Sequence, residues 1–209
     1  MKFENPEITL HVGDLPDGIS FGKSVAIDTE AMGLNNHRDR LCLIQLSAGD
    51  GTVHVVQILK DQYDAPNLVK LLEDPQVIKI FHFARFDVAI LNKYLGADTS
   101  PLYCTKIASK LARTYTDRHG LKNVVRELAR VELDKEQQSS DWGAEELTPE
   151  QMKYCANDVL YLHVVMDKLN VMLERENRVE LAQSCFDFLP TRAQLDLQGW
   201  PENDIFAHI

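Results

Sequence analysis

Long apolar runs are absent from this sequence of 209 residues. Nowhere do the roughly 18 uninterrupted apolar residues of a membrane-spanning helix occur, and the first residues contain no apolar stretch of signal-peptide length. The sequence therefore predicts no membrane span, and we expect a cytoplasmic protein. With 44% hydrophobic and 26% charged residues, the chain has the composition of a globular protein and the length for one sizeable core.

Cysteine is scarce and dispersed. The four cysteines stand among apolar neighbours at Cys42, Cys104, Cys155 and Cys185. These spacings match neither a zinc site nor a disulfide framework, and the seven histidines form no His/Cys cluster of the kind that zinc requires. We therefore expect reduced thiols in the core and no zinc site.

A surplus of positive charge is also missing, because the formal net charge is −10. This argues against binding of nucleic acid through a broad basic surface, since phosphate neutralisation drives such binding. Locally the balance reverses, and residues 104–130 carry seven basic side chains against two acidic ones. The basic residues are Lys106, Lys110, Arg113, Arg118, Lys122, Arg126 and Arg130. Their helical spacing fits solvated helix faces and a track that faces phosphates equally well, and both interpretations remain open.

Acidic residues end the first clear strand. The residues Ser24–Ile27 predict a buried strand, and Asp28 and Glu30 follow it. Because side chains alternate along a strand, these two carboxylates point to one face, about 7 Å apart along the chain. Like charges repel, so the pair indicates either a solvated strand end or a site where a divalent cation holds the acids together.

Two further strands are predicted at residues 41–47 and 52–57, joined across the turn sequence Ala-Gly-Asp-Gly at 48–51. With the first strand they form an antiparallel trio. A short helix at 67–73 and a crossover then lead to a fourth apolar strand at 77–81.

Helical spacing of apolar residues predicts three helices after this strand, at residues 84–95, 103–113 and 121–130. Gly96 is well placed to end the first of them. Asp87 falls in the first turn of that helix, where the helix dipole favours a carboxylate and a strand end lies near.

The last part of the chain begins with a polar, loop-like segment at 132–146. The residues Thr148–Gln151 supply an N-cap, a proline at the first helical position and a capping-box partner, so a long helix begins there and runs to about residue 178. From Phe186 onward no clear period is visible. We therefore expect one domain over residues 1–209, with a core of about 20–180 and a tail, 186–209, packed on its surface.

Tyr154 and Asp158 lie four residues apart on the long helix and therefore on one face. Their neighbours are mostly apolar, so this face is at least partly buried, and a buried carboxylate demands a partner. The spacing indicates either a structural hydrogen bond between Tyr154 and Asp158 or a role for both in a shared site.

The acidic positions together form a pattern that is more specific than any one of them: D-x-E after a strand, F-D opening a helix, and Y-x-x-x-D on a later helix. This pattern resembles the DEDD superfamily of 3′ to 5′ exonucleases, in the subtype with tyrosine in the third motif. The stretches "LDKEQQSSDW" and "LTPEQMKYCANDVLYL" resemble the ribonuclease D family, in which a Lys, a Gln and Ser-Asp-Trp precede the third motif. The resemblance covers about residues 25–172.

The resemblance implies an α/β, ribonuclease-H-like fold, with a mixed central sheet flanked by helices. It implies a 3′ to 5′ exoribonuclease that releases nucleoside 5′-monophosphates from single-stranded RNA 3′ ends with two divalent cations, Mg²⁺ or Mn²⁺. By this resemblance Asp28 bridges both ions and Asp87 supports the second one. Glu30 and Asp158 complete the site that holds the attacking water.

The resemblance also implies contacts with substrate. A tyrosine has an unperturbed pKa near 10 and is a poor base at neutral pH, so we expect Tyr154 to orient the nucleophile. Thr29 and Met32 adjoin the place of the family's terminal nucleotide. His82 matches a family histidine, although a core histidine with satisfied hydrogen bonds is an equal alternative. The basic residues expected to touch the RNA backbone are Lys106, Lys110, Lys122 and Arg126.

The sequence departs from the family at Glu145-Glu146, where Arg-Pro is common, and we expect a phosphate contact to be missing there. It also stops too soon for the helical HRDC module of longer members, which argues against processing of structured tRNA precursors. Other functions stay open: a 3′ to 5′ DNA exonuclease with the same acids, a catalytically inactive RNA-binding scaffold, and a structural protein stabilised by metal.

Overall fold

The centre of the protein is a mixed sheet, described in a computed structural model that covers residue 3, residues 5–133 and residues 140–208. The strands in these ranges are β1 (Glu7–Val12), β2 (Ser24–Ala31), β3 (Leu41–Ser47), β4 (Thr52–Gln57), β5 (Ile78–Phe81) and β6 (Leu102–Cys104). Their order across the sheet is β1-β4-β3-β2-β5-β6. Of the predicted polar segment 132–146, residues 134–139 lie outside the described residues.

The predicted antiparallel trio is confirmed in the middle of the sheet. β3 pairs antiparallel with β2 and with β4, and it is buried along its whole length because both faces of the central strand are covered. β5 and β6 extend the sheet in parallel beyond β2, and β1 pairs in parallel with β4. Neither β1 nor the short β6 is predicted by the sequence pattern, and β6 replaces the start of the helix expected at residue 103.

Helices pack around this sheet and complete an α/β fold. In the described ranges they are α1 (Pro66–Glu73), α2 (Ala84–Leu95), α3 (Thr105–Ala112), α4 (Leu121–Leu128), α5 (Pro149–Leu160), α6 (Leu162–Arg175) and α7 (Val179–Leu197). α5 packs on β2, β3 and β4, whereas α2 and α3 contact β5. The mixed sheet with surrounding helices confirms the predicted fold class.

Local sequence signals place the two helices that matter most for the site. α2 ends at Gly96, which has a φ of 69° in the left-handed region where glycine is the common residue. α5 begins with the predicted capping box: Thr148 Oγ1 accepts from the Gln151 amide N–H, and the Gln151 side chain accepts from the Thr148 amide N–H.

The prediction of one continuous helix from residue 148 to 178 was wrong. The chain breaks at Tyr161, with φ −105° and ψ −2°, so that α5 and α6 are separate helices. Tyr161 is only 3% exposed, and its ring packs 5.6 Å from the ring of Phe3, near the beginning of the chain. This contact joins distant parts of the sequence, so the local periodicity could not show the break.

Residues 186–197, which we expected in a surface tail without a clear period, form the second part of a helix. α7 spans 19 residues and continues past Pro190. Its inner face is buried and packs on α2, where Arg85 forms two hydrogen bonds of 2.6 Å with the Asp196 carboxylate. Asn92 on α2 accepts a further bond from Gln194. This part of the expected tail is therefore packed against the domain.

Burial agrees with the expectation for the cysteines, all four of which are free thiols. Cys42, Cys104 and Cys155 are buried, and Cys185 is half-buried. Across the described ranges, no helix is long and apolar enough to cross a membrane.

Candidate active site

A cavity of about 650 Å³ opens where β2 ends. β2 contributes Asp28, Thr29 and Glu30 to its wall, the first turn of α2 contributes Asp87, and α5 contributes Tyr154 and Asp158. The other lining residues include Met32, Leu34, His82, Phe83, Phe86, Lys106, Lys122, Ser140 and Trp142. The fold thus brings the three acidic motifs, which are far apart in the sequence, to one place.

The acidic residues form a compact group. Oxygen atoms of Asp28, Glu30 and Asp158 lie within 4.8 Å of one another. The β2–β3 ladder shifts register between Glu30 and Ala31, and such irregularities redirect side chains at the ends of strands. Oxygen-rich groups of this kind are the ligands that Mg²⁺ prefers in proteins.

Asp87 is the most buried of the acids, and it is tied to β2 by a hydrogen bond. Thr29 Oγ1 donates to Asp87 Oδ1 at 2.7 Å. Thr29 is itself buried. Thr29, which we expected at the terminal nucleotide, therefore orients the Asp87 carboxylate.

Burial and mutual repulsion raise the pKa values of these acids. Burial, followed by the charges of the Asp28, Asp158 and Asp87 carboxylates, raises the pKa of Glu30 from 4.5 to about 10. Burial raises the pKa of Asp28 from 3.8 to about 7, although the Thr29 backbone N–H opposes this shift. Burial and then the Asp28 charge raise the pKa of Asp87 well above its ordinary value. A cation at this point would offset the repulsion, so the residues fit a divalent metal.

Tyr154 lies beside the acids with a neutral phenol. Burial, and then the negative charges of Asp158, Glu30 and Asp28, raise its pKa far above the ordinary value of 10. At neutral pH the hydroxyl therefore stays protonated and is available as a hydrogen-bond partner. The ring packs against Trp142, with centroids 5.8 Å apart and planes inclined by 36°.

The segment that carries Trp142 is held by the side chains of Arg40, which precedes β3, and Gln57, which ends β4. Arg40 donates to the carbonyl of Gly143 at 3.3 Å, and to the carbonyls of Leu41 and Ile58. Gln57 donates to the carbonyls of Ala144 and Glu145, at 2.9 and 3.2 Å. At the Glu145-Glu146 departure, the backbone of Glu145 thus anchors the segment to the sheet.

Sequence reasoning did not find this set of supporting contacts. Arg40 and Gln57 stand at the ends of strands and belong to no catalytic motif. Trp142 is part of the family stretch, but its contact with Tyr154 joins a loop to a helix and has no period in the sequence. Leu34 and Phe83, which are exposed apolar residues of the cavity wall, were missed for the same reason.

The predicted basic contacts divide into two groups. Lys106 and Lys122 line the cavity, whereas its described wall does not include Lys110 or Arg126. Arg126 instead donates to Asn123 Oδ1 at 3.2 Å on its own helix. Of the four basic residues predicted to contact the RNA backbone, two therefore line the cavity.

His82 and Met32 both line the cavity. His82 Nδ1 lies 2.9 Å from Thr105 Oγ1, and the same hydroxyl donates to the carbonyl of Phe81 at 3.0 Å. Because Thr105 uses its proton on that carbonyl, the contact has His82 Nδ1 as donor, and Nε2 of the neutral ring is an acceptor. Met32 is half exposed at the rim.

Comparison with known proteins relates the site to nucleases. Residues 15–174 match the protein family described as 3′-5′ exonuclease. Ribonuclease D of Gluconacetobacter diazotrophicus is 38% identical over 160 residues, which are 77% of this chain and 40% of that protein. The chain spans about two fifths of the length of the curated ribonuclease D relatives it matches.

Solved structures are similar over larger parts of the chain. Brucella melitensis NrnC bound to pGG is 55% identical with a TM-score of 0.95, and 98% of this chain and 100% of that chain are covered. NrnC with bound Mg²⁺ gives 55% identity and a TM-score of 0.93, with 97% and 100% covered. RNase D of Escherichia coli is 28% identical with a TM-score of 0.73, over 83% of this chain and 45% of that one.

Proposed function

The chain belongs to the 3′-5′ exonuclease family, and on this premise we propose that it hydrolyses short, single-stranded RNA from the 3′ end and releases nucleoside 5′-monophosphates. One observation carries the proposal: four carboxylates and a protonated tyrosine from separate motifs line one cavity. A scaffold that only binds RNA has no need of a buried group of acids, because carboxylates repel phosphate.

The proposal includes two divalent cations, Mg²⁺ or Mn²⁺, which the carboxylates of Asp28, Glu30, Asp87 and Asp158 would hold. When bound, such ions stabilise the attacking and leaving oxygens of an in-line displacement at phosphorus. Mg²⁺ in the 55% identical NrnC structure supports this choice of metal.

The chain's own residues position the reactants. Tyr154 keeps its proton and orients the attacking water through a hydrogen bond, while Trp142 fixes the plane of its ring. Thr29 holds Asp87 in place. Proton removal from the water does not fall to Tyr154, because its raised pKa makes the phenol a very weak acid.

Short RNA is the substrate that the cavity supports best. A space of about 650 Å³ accommodates a few nucleotides at most, and among the described residues of its wall the lysines are Lys106 and Lys122. With so few phosphate contacts, affinity for long strands should be low. The NrnC structure with pGG and the ribonuclease D relatives support RNA, and they support substrates as short as a dinucleotide.

The test is a product analysis with matched strands. Purified protein is incubated with Mg²⁺ or Mn²⁺ and with 5′-labelled RNA and DNA of the same sequence, from two nucleotides upward. We expect 5′-monophosphates from RNA, released one at a time. An Asp167→Asn variant, which changes an exposed acid on α6, serves as the matched control and should cleave like the parent. Faster cleavage of DNA would favour the DNA exonuclease, and no cleavage of either would favour a scaffold.

A further inference from the structure

Phe83 has an unusual backbone conformation at the edge of the candidate active site. It precedes α2 with φ 80° and ψ 42°, in the left-handed region. Among the described residues, the other non-glycine positions with positive φ are Asp61, Arg130 and Asn177. A bulky side chain is a genuine outlier in this region, where glycine and asparagine are common. Such outliers cluster where the strained residue has a function.

The backbone of Phe83 makes a hydrogen bond that does not involve the ring, because its carbonyl accepts from the Phe86 N–H at 3.1 Å. An asparagine at position 83 would keep this bond. The ring is also 44% exposed, so burial in the core does not explain an aromatic residue here.

The exposed ring stands between two cavities. A second cavity of about 560 Å³ adjoins the active-site cavity and is lined by the loop Asn35–Arg38, by Arg85 and by the end of α7. Leu34, Phe83 and Phe86 line both spaces and form the divide between them. A nucleotide chain that leaves the acids in this direction therefore passes over the Phe83 ring.

Lys106 gives the ring a charged neighbour. Its Nζ lies 4.2 Å from the centroid of the Phe83 ring, which is the distance of a cation–π contact. Lys106 also lines the active-site cavity. An aromatic face beside an ammonium group matches the two parts of a nucleotide, since bases stack on aromatic rings and phosphates pair with cations.

We propose that Phe83 is a substrate-binding residue, whose ring stacks on the base of the nucleotide on the 5′ side of the scissile phosphate. The assignment rests on the proposed function. Stacking needs a base but accepts any of them, because every base offers a π-face. The backbone strain is the cost of turning an aromatic ring toward the divide, where asparagine would be the unstrained choice.

The experiment combines two variants with two dinucleotides. The variants are Phe83→Asn, which removes the ring and suits the left-handed backbone, and Phe83→Tyr, which keeps the ring. The substrates are pGG and the same dinucleotide without the 5′-side base. We expect Phe83→Asn to lower kcat/KM for pGG about tenfold, mainly through KM, and to leave the substrate without that base nearly unaffected. Phe83→Tyr should resemble the parent on both substrates.

Thermal melting separates this role from a structural one. Because Asn relieves backbone strain, Phe83→Asn should melt at or above the temperature of the parent. Equal losses of kcat/KM on both substrates, or a lower melting temperature, would overturn the role of Phe83 and leave the proposed function standing. Failure of the parent protein to cleave either dinucleotide would refute the proposed function itself, and Phe83 would lose its role with it.

Discussion

The ring of Trp142 lies against the ring of Tyr154, with centroids 5.8 Å apart. Trp142 comes from a loop and Tyr154 from α5, and the loop is fixed by Arg40 before β3, by Gln57 of β4 and by Gln151 from the first turn of α5. Packing against Trp142 therefore fixes the ring of Tyr154, and α5 fixes its backbone. Functional groups held in this way keep their geometry with little loss of entropy on binding substrate.

Replacing Trp142 by Phe should reduce turnover through Tyr154. The smaller ring leaves a gap at a site that is only 4% exposed, so stability should fall by about 2 kcal/mol and the phenol should move more freely. We expect kcat to fall by about tenfold with little change in KM. Steady-state kinetics on the Tyr154→Phe background give the control, because the Trp142→Phe effect on kcat should vanish there. An undiminished effect would show that Trp142 acts elsewhere.

Removing the hydroxyl in Tyr154→Phe should lower kcat by about 100-fold and spare metal binding. The phenol carries no charge at neutral pH, because burial and the neighbouring carboxylates raise its pKa. It is therefore a poor metal ligand and a good hydrogen-bond partner for water. Isothermal titration with Mg²⁺ checks this beside the kinetics. Loss of Mg²⁺ affinity as large as that of Asp158→Asn would place Tyr154 among the ligands instead.

The metal-free protein should become less stable as the pH rises. Asp28 and Glu30 have pKa values near 7 and 10 in the fold, against 3.8 and 4.5 ordinarily. The folded protein therefore holds protons that the unfolded chain releases. The stability gained from holding them is complete below about pH 4 and disappears as the pH rises through the folded pKa values.

Melting curves between pH 5 and pH 9 in EDTA and in Mg²⁺ test this sign. Stabilisation by Mg²⁺ should grow with pH, because binding requires the charged carboxylates. Glu30→Gln should flatten the metal-free slope by at least about 3 °C over this range, whereas Glu174→Gln, at an exposed position on α6, should keep it. Equal slopes for parent and Glu30→Gln would rule out the buried acid as the cause.

Lys122 should contribute to binding and not to the chemical step. It lines the cavity from the first turn of α4, whereas the grouped acids lie on β2 and α5. Lys122→Ala should raise KM by about threefold to tenfold with kcat unchanged, and should reduce the salt dependence of binding by almost one unit. Lys168→Ala removes an exposed lysine of α6 and is the matched control. A fall in kcat at saturating RNA would contradict this assignment.

The sequence predicted those features that depend on local pattern. The antiparallel trio, the Gly96 helix end and the Thr148 capping box follow from side-chain periodicity and from backbone hydrogen bonds within a few residues. The acidic site residues were predicted from their order along the chain together with the resemblance to a known family. Their convergence on one cavity needed the fold, because β2, α2 and α5 are far apart in the sequence.

What the sequence could not show depends on contacts between distant residues. At the break between α5 and α6, Tyr161 packs on Phe3, and the helix α7 is fixed by Arg85 and Asp196 across the interface with α2. The Trp142 contact with Tyr154 likewise joins two separate elements. No local period or motif encodes such pairs, so they appear only when the chain is folded.

The central claim is that the acidic group holds the metal ions on which hydrolysis depends. Asp28→Asn removes a carboxylate from the middle of the group and also relieves repulsion in the metal-free protein. Its melting temperature in EDTA should therefore equal or exceed that of the parent, and Asp158→Asn should behave in the same way.

The most direct measurement is the turnover of 5′-labelled RNA by Asp28→Asn in saturating Mg²⁺, beside the parent and Asp167→Asn. We predict a loss of at least about 1,000-fold for Asp28→Asn in a protein that is fully folded by its melting curve. Turnover within about tenfold of the parent would contradict the account, because hydrolysis would then not depend on this carboxylate.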